Sequence, residues 1–178
     1  MDGLVDRAVR AAKLDVTLYE EVEADKAVLG QAMTVVVVSS VCAGIGSATH
    51  GGVVGLLLGA VAALISWYIW AYLTYFIGAK LLPEAQTRAT VGELLRTTGF
   101  SSSPGVLRIL GIVPGLMVIV FTVASIWMLV AMVVAVRQAL DYRSTGRAVG
   151  VCLIGWVVMM VIFGLFAFLA APSFTVND

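Results

Sequence analysis

Across 178 residues the chain is 61% hydrophobic and 12% charged, and its 11 basic and 11 acidic residues cancel to a formal net charge of zero. Zero net charge argues against a nucleic-acid partner, since phosphate neutralisation needs a basic surface. The composition lies far from the soluble average and excludes an ordinary soluble domain, whose helices need polar outer faces. The charges are swept between four apolar blocks, 27–48, 53–79, 109–136 and 148–171, none of which contains Asp, Glu, Lys or Arg. Each is longer than the roughly 20 residues a helix needs to cross a bilayer core.

The leader comes first. Residues 2–13 set Leu4, Val5, Ala8, Val9, Ala11 and Ala12 against Asp6, Arg7, Arg10 and Lys13, a stripe suited to a membrane surface or to the bundle itself. Residues 15–17 read as a break, and Thr17-Leu18-Tyr19-Glu20 has the spacing of a capping box that starts a second helix. Tyr19, Glu20, Glu21, Glu23 and Asp25 then form an acidic tract. It reads either as a docking surface for a basic partner or as a solvated helix start whose carboxylates complement the helix dipole. No apolar h-region precedes Ala27, so no cleavable signal peptide is expected and the first span is expected to target the chain.

The placement of positive charge counts the spans. Arg7, Arg10, Lys13 and Lys26 assign the leader to the cytosol, and the connection Thr49-His50-Gly51-Gly52, without Lys or Arg, fits the outer side. Lys80 and Arg88 return the chain to the cytosol, as do Arg137, Arg143 and Arg147 after the third block. An even number of crossings must lie between them, so a further span is expected in 90–111. Its signals are a capping box at Thr90-Val91-Gly92-Glu93, a helix end at Gly99, and Ser103-Pro104 as N-cap and first residue of a second short helix. The expected span is therefore broken at Gly99-Phe100-Ser101-Ser102-Ser103. The alternative is a re-entrant dip, with four spans and Arg137 to Arg147 outside.

Three tracts, 14–32 (LDVTLYEEVEADKAVLGQA), 94–111 (LLRTTGFSSSPGVLRILG) and 127–147 (WMLVAMVVAVRQALDYRSTGR), resemble bacterial members of the Ypt-interacting protein (YIP) domain family. The most specific element is Gly99-Phe100-x-x-x-Pro104 with Leu107 beyond it, followed by Val136-Arg137-Gln138-Ala139. The resemblance implies a five-span bundle with a cytosolic N-terminus. Eukaryotic relatives are implicated in binding Rab-type small GTPases and in early secretory traffic. The 26 residues ahead of the first apolar block are not expected to stand in for their long hydrophilic N-terminal region, and Leu18-Tyr19-Glu20 only echoes their Asp-Leu-Tyr-Gly-Pro tract.

Small residues recur every four positions at Gly51, Gly55, Gly59 and Ala63, and at Ser40, Gly44 and Ala48, as in helices whose backbones approach closely. They predict a tight antiparallel hairpin of the first two spans, with self-association through a leftover glycine face as the alternative. Trp67, Tyr68, Trp70, Tyr72, Tyr75 and Phe76 read as an interfacial aromatic belt. Glu93, Arg96 and Arg108, with Ser101, Ser102 and Ser103, form a candidate intramembrane polar site beside the break, read either as a structural network or as a binding site. Cys42 and Cys152 read as packing residues. The lone His50, no ligand set with metal spacing, no phosphate loop and no nucleophile elbow leave no enzyme reading, and no cofactor is expected.

The sequence thus predicts an all-α, polytopic membrane helical bundle with five transmembrane spans, the third broken. Residues 1–26 are the amphipathic, acidic leader, 27–171 the bundle (spans near 27–48, 53–79, 90–111, 114–136 and 148–171), and 172–178 a tail. Its expected setting is a bacterial cytoplasmic membrane with the N-terminus in the cytosol. The expected partners are the lipid bilayer, a cytosolic or membrane protein, and a second copy of the chain. The expected function is a non-enzymatic organiser or adaptor, with a small channel, transporter or lipid-handling protein as the alternative.

Overall fold

A computed structural model describes residues 3–47 and 52–170, and every regular element among them is helical. Gly51 and His50 lie outside the described residues, as does the tail from 171 onward.

The leader folds as two short helices, α1 (Leu4–Ala12) and α2 (Val16–Ala24). Between them Leu14 takes a left-handed conformation at φ 63°. Its N–H donates to Ala11 O and the Asp15 N–H to Arg10 O, the two bonds of a Schellman turn built without glycine. The α2 N-cap is Asp15, whose carboxylate accepts from Thr17 N at 3.0 Å. The capping-box spacing at Thr17 is therefore not used, because Asp15 stands two residues ahead and takes both the Thr17 N–H and its hydroxyl.

Asp25 caps a short 3₁₀ turn (Lys26–Val28) that enters α3 (Leu29–Gly46). α4 (Gly52–Tyr75) continues into a π-helical turn (Phe76–Leu81), and α6 (Met117–Ala139) and α7 (Thr145–Ala170) follow later. Among the described residues four helices are long and apolar enough to cross a membrane: Lys26–Gly46, Gly52–Leu81, Met117–Ala139 and Thr145–Leu165. Their outer faces are apolar: Val53, Leu57, Val118, Ile126, Leu153 and Val161, for example, are all exposed. In a bilayer that exposure is solvation by lipid rather than a defect.

Between α4 and α6 lie α5 (Val91–Phe100) and a 3₁₀ helix (Ser103–Ile112), joined through Ser101 and Ser102. Thr90 and Glu93 form the capping box the sequence predicts: Thr90 N donates to the Glu93 carboxylate at 2.7 Å, and Glu93 N to the Thr90 hydroxyl at 3.3 Å. Gly99 does not end the helix, which runs one residue further. It is glycine for another reason: a Cβ there would lie 2.7 Å from Ala32 Cβ. Ser103 donates back to Phe100 O at 2.6 Å and does not cap the helix ahead of it.

This two-part segment runs parallel to α3. Gly99 lies against Ala32, Gly105 against Ser39, and Gly111 against the Gly46 carbonyl. α6 then returns antiparallel to it, with Ser101 touching Met132, Gly105 touching Met128 and Arg108 bonded to Ser125.

Large side chains are fully buried mainly at the leader end of the bundle. The largest fully buried side chains include Tyr19, Leu18 and Val22 of α2, Phe100 and Leu94 of α5, and Val136 and Leu140 at the end of α6. α2 is thus an integral layer of the core. Beyond it the long helices mostly face outward.

Candidate functional site

The leader end carries a polar pocket of about 560 Å³ between α2, the connection 82–90 and the turn after α6. It is lined by Glu20, Glu23, Gln86, Arg137, Gln138, Asp141, Tyr142 and Arg143.

Backbone geometry builds its walls. Asp141 is left-handed (φ 53°), and the Tyr142 N–H donates to Arg137 O across a second Schellman turn. That turn throws the Tyr142 ring inward, where its hydroxyl meets both Gly78 O at 2.9 Å and Leu82 O at 2.7 Å. The π turn also closes an Ile77 O to Leu82 N bond of five-residue span. Gly78 lets α4 approach this corner, since a Cβ there would run into Leu140. The connection 82–90 is held as well. Gln86 donates to Asp141 O at 2.9 Å, while the Glu84 carboxylate accepts from Arg143 N at 3.2 Å and pairs with Arg147 at 3.5 Å. The Arg143 amide leads the groups that hold the Glu84 carboxyl below its ordinary range.

The acidic tract divides by role. Glu21 pairs with Arg10 at 2.7 Å, and Asp25 with Arg7 at 3.6 Å, tying α2 and the α3 entry to α1. Tyr19 is fully buried with its hydroxyl on Ala11 O at 3.2 Å, so its ring is core and not surface. Glu20 and Glu23 line the pocket, with the exposed Glu20 accepting from Gln138 at 3.0 Å.

Half-burial pushes the Glu23 carboxyl up to about 7, reinforced by the charges of Asp141, Glu93 and Glu20 and opposed by Arg96. An unfolded Glu titrates near ~4.3, so the folded state holds this proton more tightly. The contribution of Glu23 to α2 docking is therefore complete at low pH and is lost as pH rises through about 7. Amide exchange in α2, corrected for intrinsic rate, is expected to be faster at pH 8 than at pH 6. Glu23→Gln should remove that difference, and a wild-type α2 indifferent to pH would count against this assignment.

The candidate intramembrane site is drawn together only in part. Arg96 is buried, and its guanidinium donates to Val22 O at 2.8 Å and to Glu23 O, the last carbonyls of α2. A cation on the C-terminal carbonyls is the favoured complement of a helix end. Glu93 serves the capping box, Ser101 donates to Thr98 O at 2.7 Å, and Ser103 to Phe100 O. Ser102 O accepts from Gly105 N at 2.9 Å. Arg108 is apart from this group: it donates to Ser125 at 2.9 Å and its guanidinium carbon lies 5.6 Å from the centre of the Phe121 ring.

The glycine pattern resolves differently from the predicted hairpin seam. Gly55 and Gly59 face open space, whereas Gly46, Gly78, Gly99, Gly105 and Gly111 are pressed against other segments. Within the aromatic belt, Tyr68, Tyr72 and Phe76 are exposed as a belt requires, but Trp67 turns inward and donates to Thr98 at 3.2 Å. Cys42 and Cys152 are buried and unpaired. Gln86, Asp141 and Tyr142 were not singled out in the sequence. Their signal was the polar run after the second apolar block for Gln86 and after the third for Asp141 and Tyr142, runs that charge counting uses only as topology markers.

No group of three or more His, Cys, Asp or Glu among the described residues is arranged to hold a metal ion. The pocket instead presents carboxylates beside two arginines and two amides, a surface suited to binding. A family model described as Yip1 domain matches residues 17–166, most of the chain. No curated protein and no solved structure gives a significant match.

Proposed function

Because the chain belongs to the Yip1 domain family, we propose that it is a non-enzymatic membrane adaptor. In this reading it crosses a bacterial cytoplasmic membrane five times and presents the pocket at its leader end to the cytosol. Five crossings are supported by the parallel course of 99–111 beside α3. The ten residues of α5 and ten of the 3₁₀ helix rise roughly 35 Å together, against a hydrocarbon core of about 30 Å. A reporter fused after Asp178 is then expected to be active only on the outer side.

One observation favours an adaptor over permeation. Ser101, Ser103, Glu93 and Arg96 around the break bond to the chain's own backbone, while the polar pocket lies at the leader end. A permeation path needs polar groups facing a passage; here they close helix ends. Glu20, Gln138 and Arg143 offer charge and amide contacts to a protein surface, on a platform fixed by Tyr142 and Arg96. A photoreactive residue replacing Glu20, exposed where Tyr19 is buried, is expected to crosslink reproducibly to one protein in living cells. Crosslinks only to lipid or to the chain itself would sink the adaptor reading.

A further inference from the structure

An apolar groove of about 460 Å³ lies beneath α1, in the size range of roughly 300–1,000 Å³ typical of ligand sites. Its walls include Ala8 and Val9 of α1, Val38 of α3, Pro104 and Leu107 of the 3₁₀ helix, and Trp127 of α6. The polar groups around it already have partners. Trp127 Nε1 donates to Ala12 O at 2.8 Å, Thr34 to Gly30 O at 2.9 Å, and Ser103 to Phe100 O at 2.6 Å. The groove therefore offers an occupant contact without hydrogen bonds.

Its mouth is flanked by Val38, Val106 and Leu107, each about two-fifths exposed (42%, 40% and 38%) on helices that face the membrane. What reaches such a mouth is the hydrocarbon chain of a lipid, not water. Charge at the rim says which lipid. Arg7 is taken by Gln31 and Asp25, and Arg10 by Asp15 and Glu21. Lys13, adjoining the Ala12 that lines the groove, is exposed and has no counter-ion among the described residues. Asp6, the one carboxylate within α1, lies two helical turns away along it. A lysine at a bilayer surface attracts anionic headgroups, and an amphipathic helix on that plane sets its apolar face into the acyl boundary.

We propose that the groove between α1 and the α3/3₁₀ face seats one acyl chain of an anionic phospholipid from the leaflet on the leader side, with its phosphate at Lys13. This rests on the long helices lying in a bilayer and not on the adaptor reading, so the outcome of crosslinking at Glu20 does not bear on it. The test is native mass spectrometry of the intact protein after reconstitution in mixed phosphatidylglycerol and phosphatidylcholine vesicles and mild extraction. About one phospholipid per chain should be retained, with phosphatidylglycerol preferred. Val38→Trp, which fills the groove from α3, and Val9→Trp, which fills it from an exposed position on α1, should each cut retention about tenfold, the loss expected when about two methylenes leave an apolar site. Lys13→Gln should keep the lipid and lose the preference. Retention unchanged in a monodisperse Val9→Trp protein would overturn the proposal. So would retention lost instead on filling the α6–α7 groove with Leu153→Trp, no retained lipid in the wild type, or a lipid-free dimer.

Discussion

Arg96→Ala is expected to release α2 from the bundle at a cost on the order of 3 kcal/mol, the range for losing charge-assisted hydrogen bonds and leaving their buried acceptors unpaired. The guanidinium reaches Val22 O and Glu23 O across more than 70 residues of sequence, and the side chain is buried. Those carbonyls end α2 and have no further turn of helix to bond. Arg96→Lys keeps the charge but not the planar fork, so it should fall between wild type and alanine. Trypsin reports the effect at the exposed Lys26, just past α2: cleavage in detergent should be several times faster in the alanine variant and intermediate in the lysine variant. Equal protection in all three would mean that Arg96 does not hold α2. The same variants separate structure from transport. A loss of leader protection with no change in liposome permeability is the outcome expected of a clasp.

Gly46→Ala should be the most damaging glycine-to-alanine change among the described residues, by about 3 kcal/mol or more, while Gly55→Ala and Gly59→Ala should be neutral or slightly stabilising. A Cβ at Gly46 would enter the Arg108 backbone carbonyl, which cannot rotate away as a side chain can. Overpacking against a fixed neighbour costs about 1–3 kcal/mol and sometimes more. Gly55 and Gly59 have nothing within reach of an added Cβ, and within a helix alanine is favoured over glycine by roughly 0.8–1.0 kcal/mol. The readout is the midpoint of thermal unfolding in detergent, followed by size-exclusion chromatography of heated samples. If Gly59→Ala proves as harmful as Gly46→Ala, the glycine repeat of α4 faces a partner, either a second copy or another membrane protein.

These two predictions also mark how far the sequence could be read. Features of short range were legible. Four charge-free blocks longer than a bilayer is thick leave a chain few choices, because every backbone group in hydrocarbon must bond within its own helix. The Thr90–Glu93 capping box was legible because both halves lie three residues apart on one turn. The interruption before Pro104 was legible too, since proline marks a helix start and the serines before it compete for backbone bonds.

Long-range partners were not legible. Arg96 reads as an intramembrane charge until the carbonyls of Val22 and Glu23 are seen beside it. The acidic tract reads as one surface, but packing divides it: Tyr19 into the core, Glu21 and Asp25 onto the arginines of α1, Glu20 and Glu23 into the pocket. Glycines four apart state that they share a helix face but not what that face meets. The glycines pressed hardest do not follow that four-residue pattern: 46, 99, 105 and 111 lie on the two sides of the seam between α3 and the two-part segment, and Gly78 lies against Leu140.

By itself, then, the sequence determined that the chain is helical, that it belongs in a membrane, and where one segment must break, since those follow from hydropathy and from hydrogen bonds within a turn. Only the tertiary structure decided that the leader is part of the core, that Tyr142 and Arg96 brace a polar pocket, and that α1 overhangs an apolar groove. Those outcomes depend on contacts between residues far apart in the chain, and no local pattern encodes which of several apolar faces will meet.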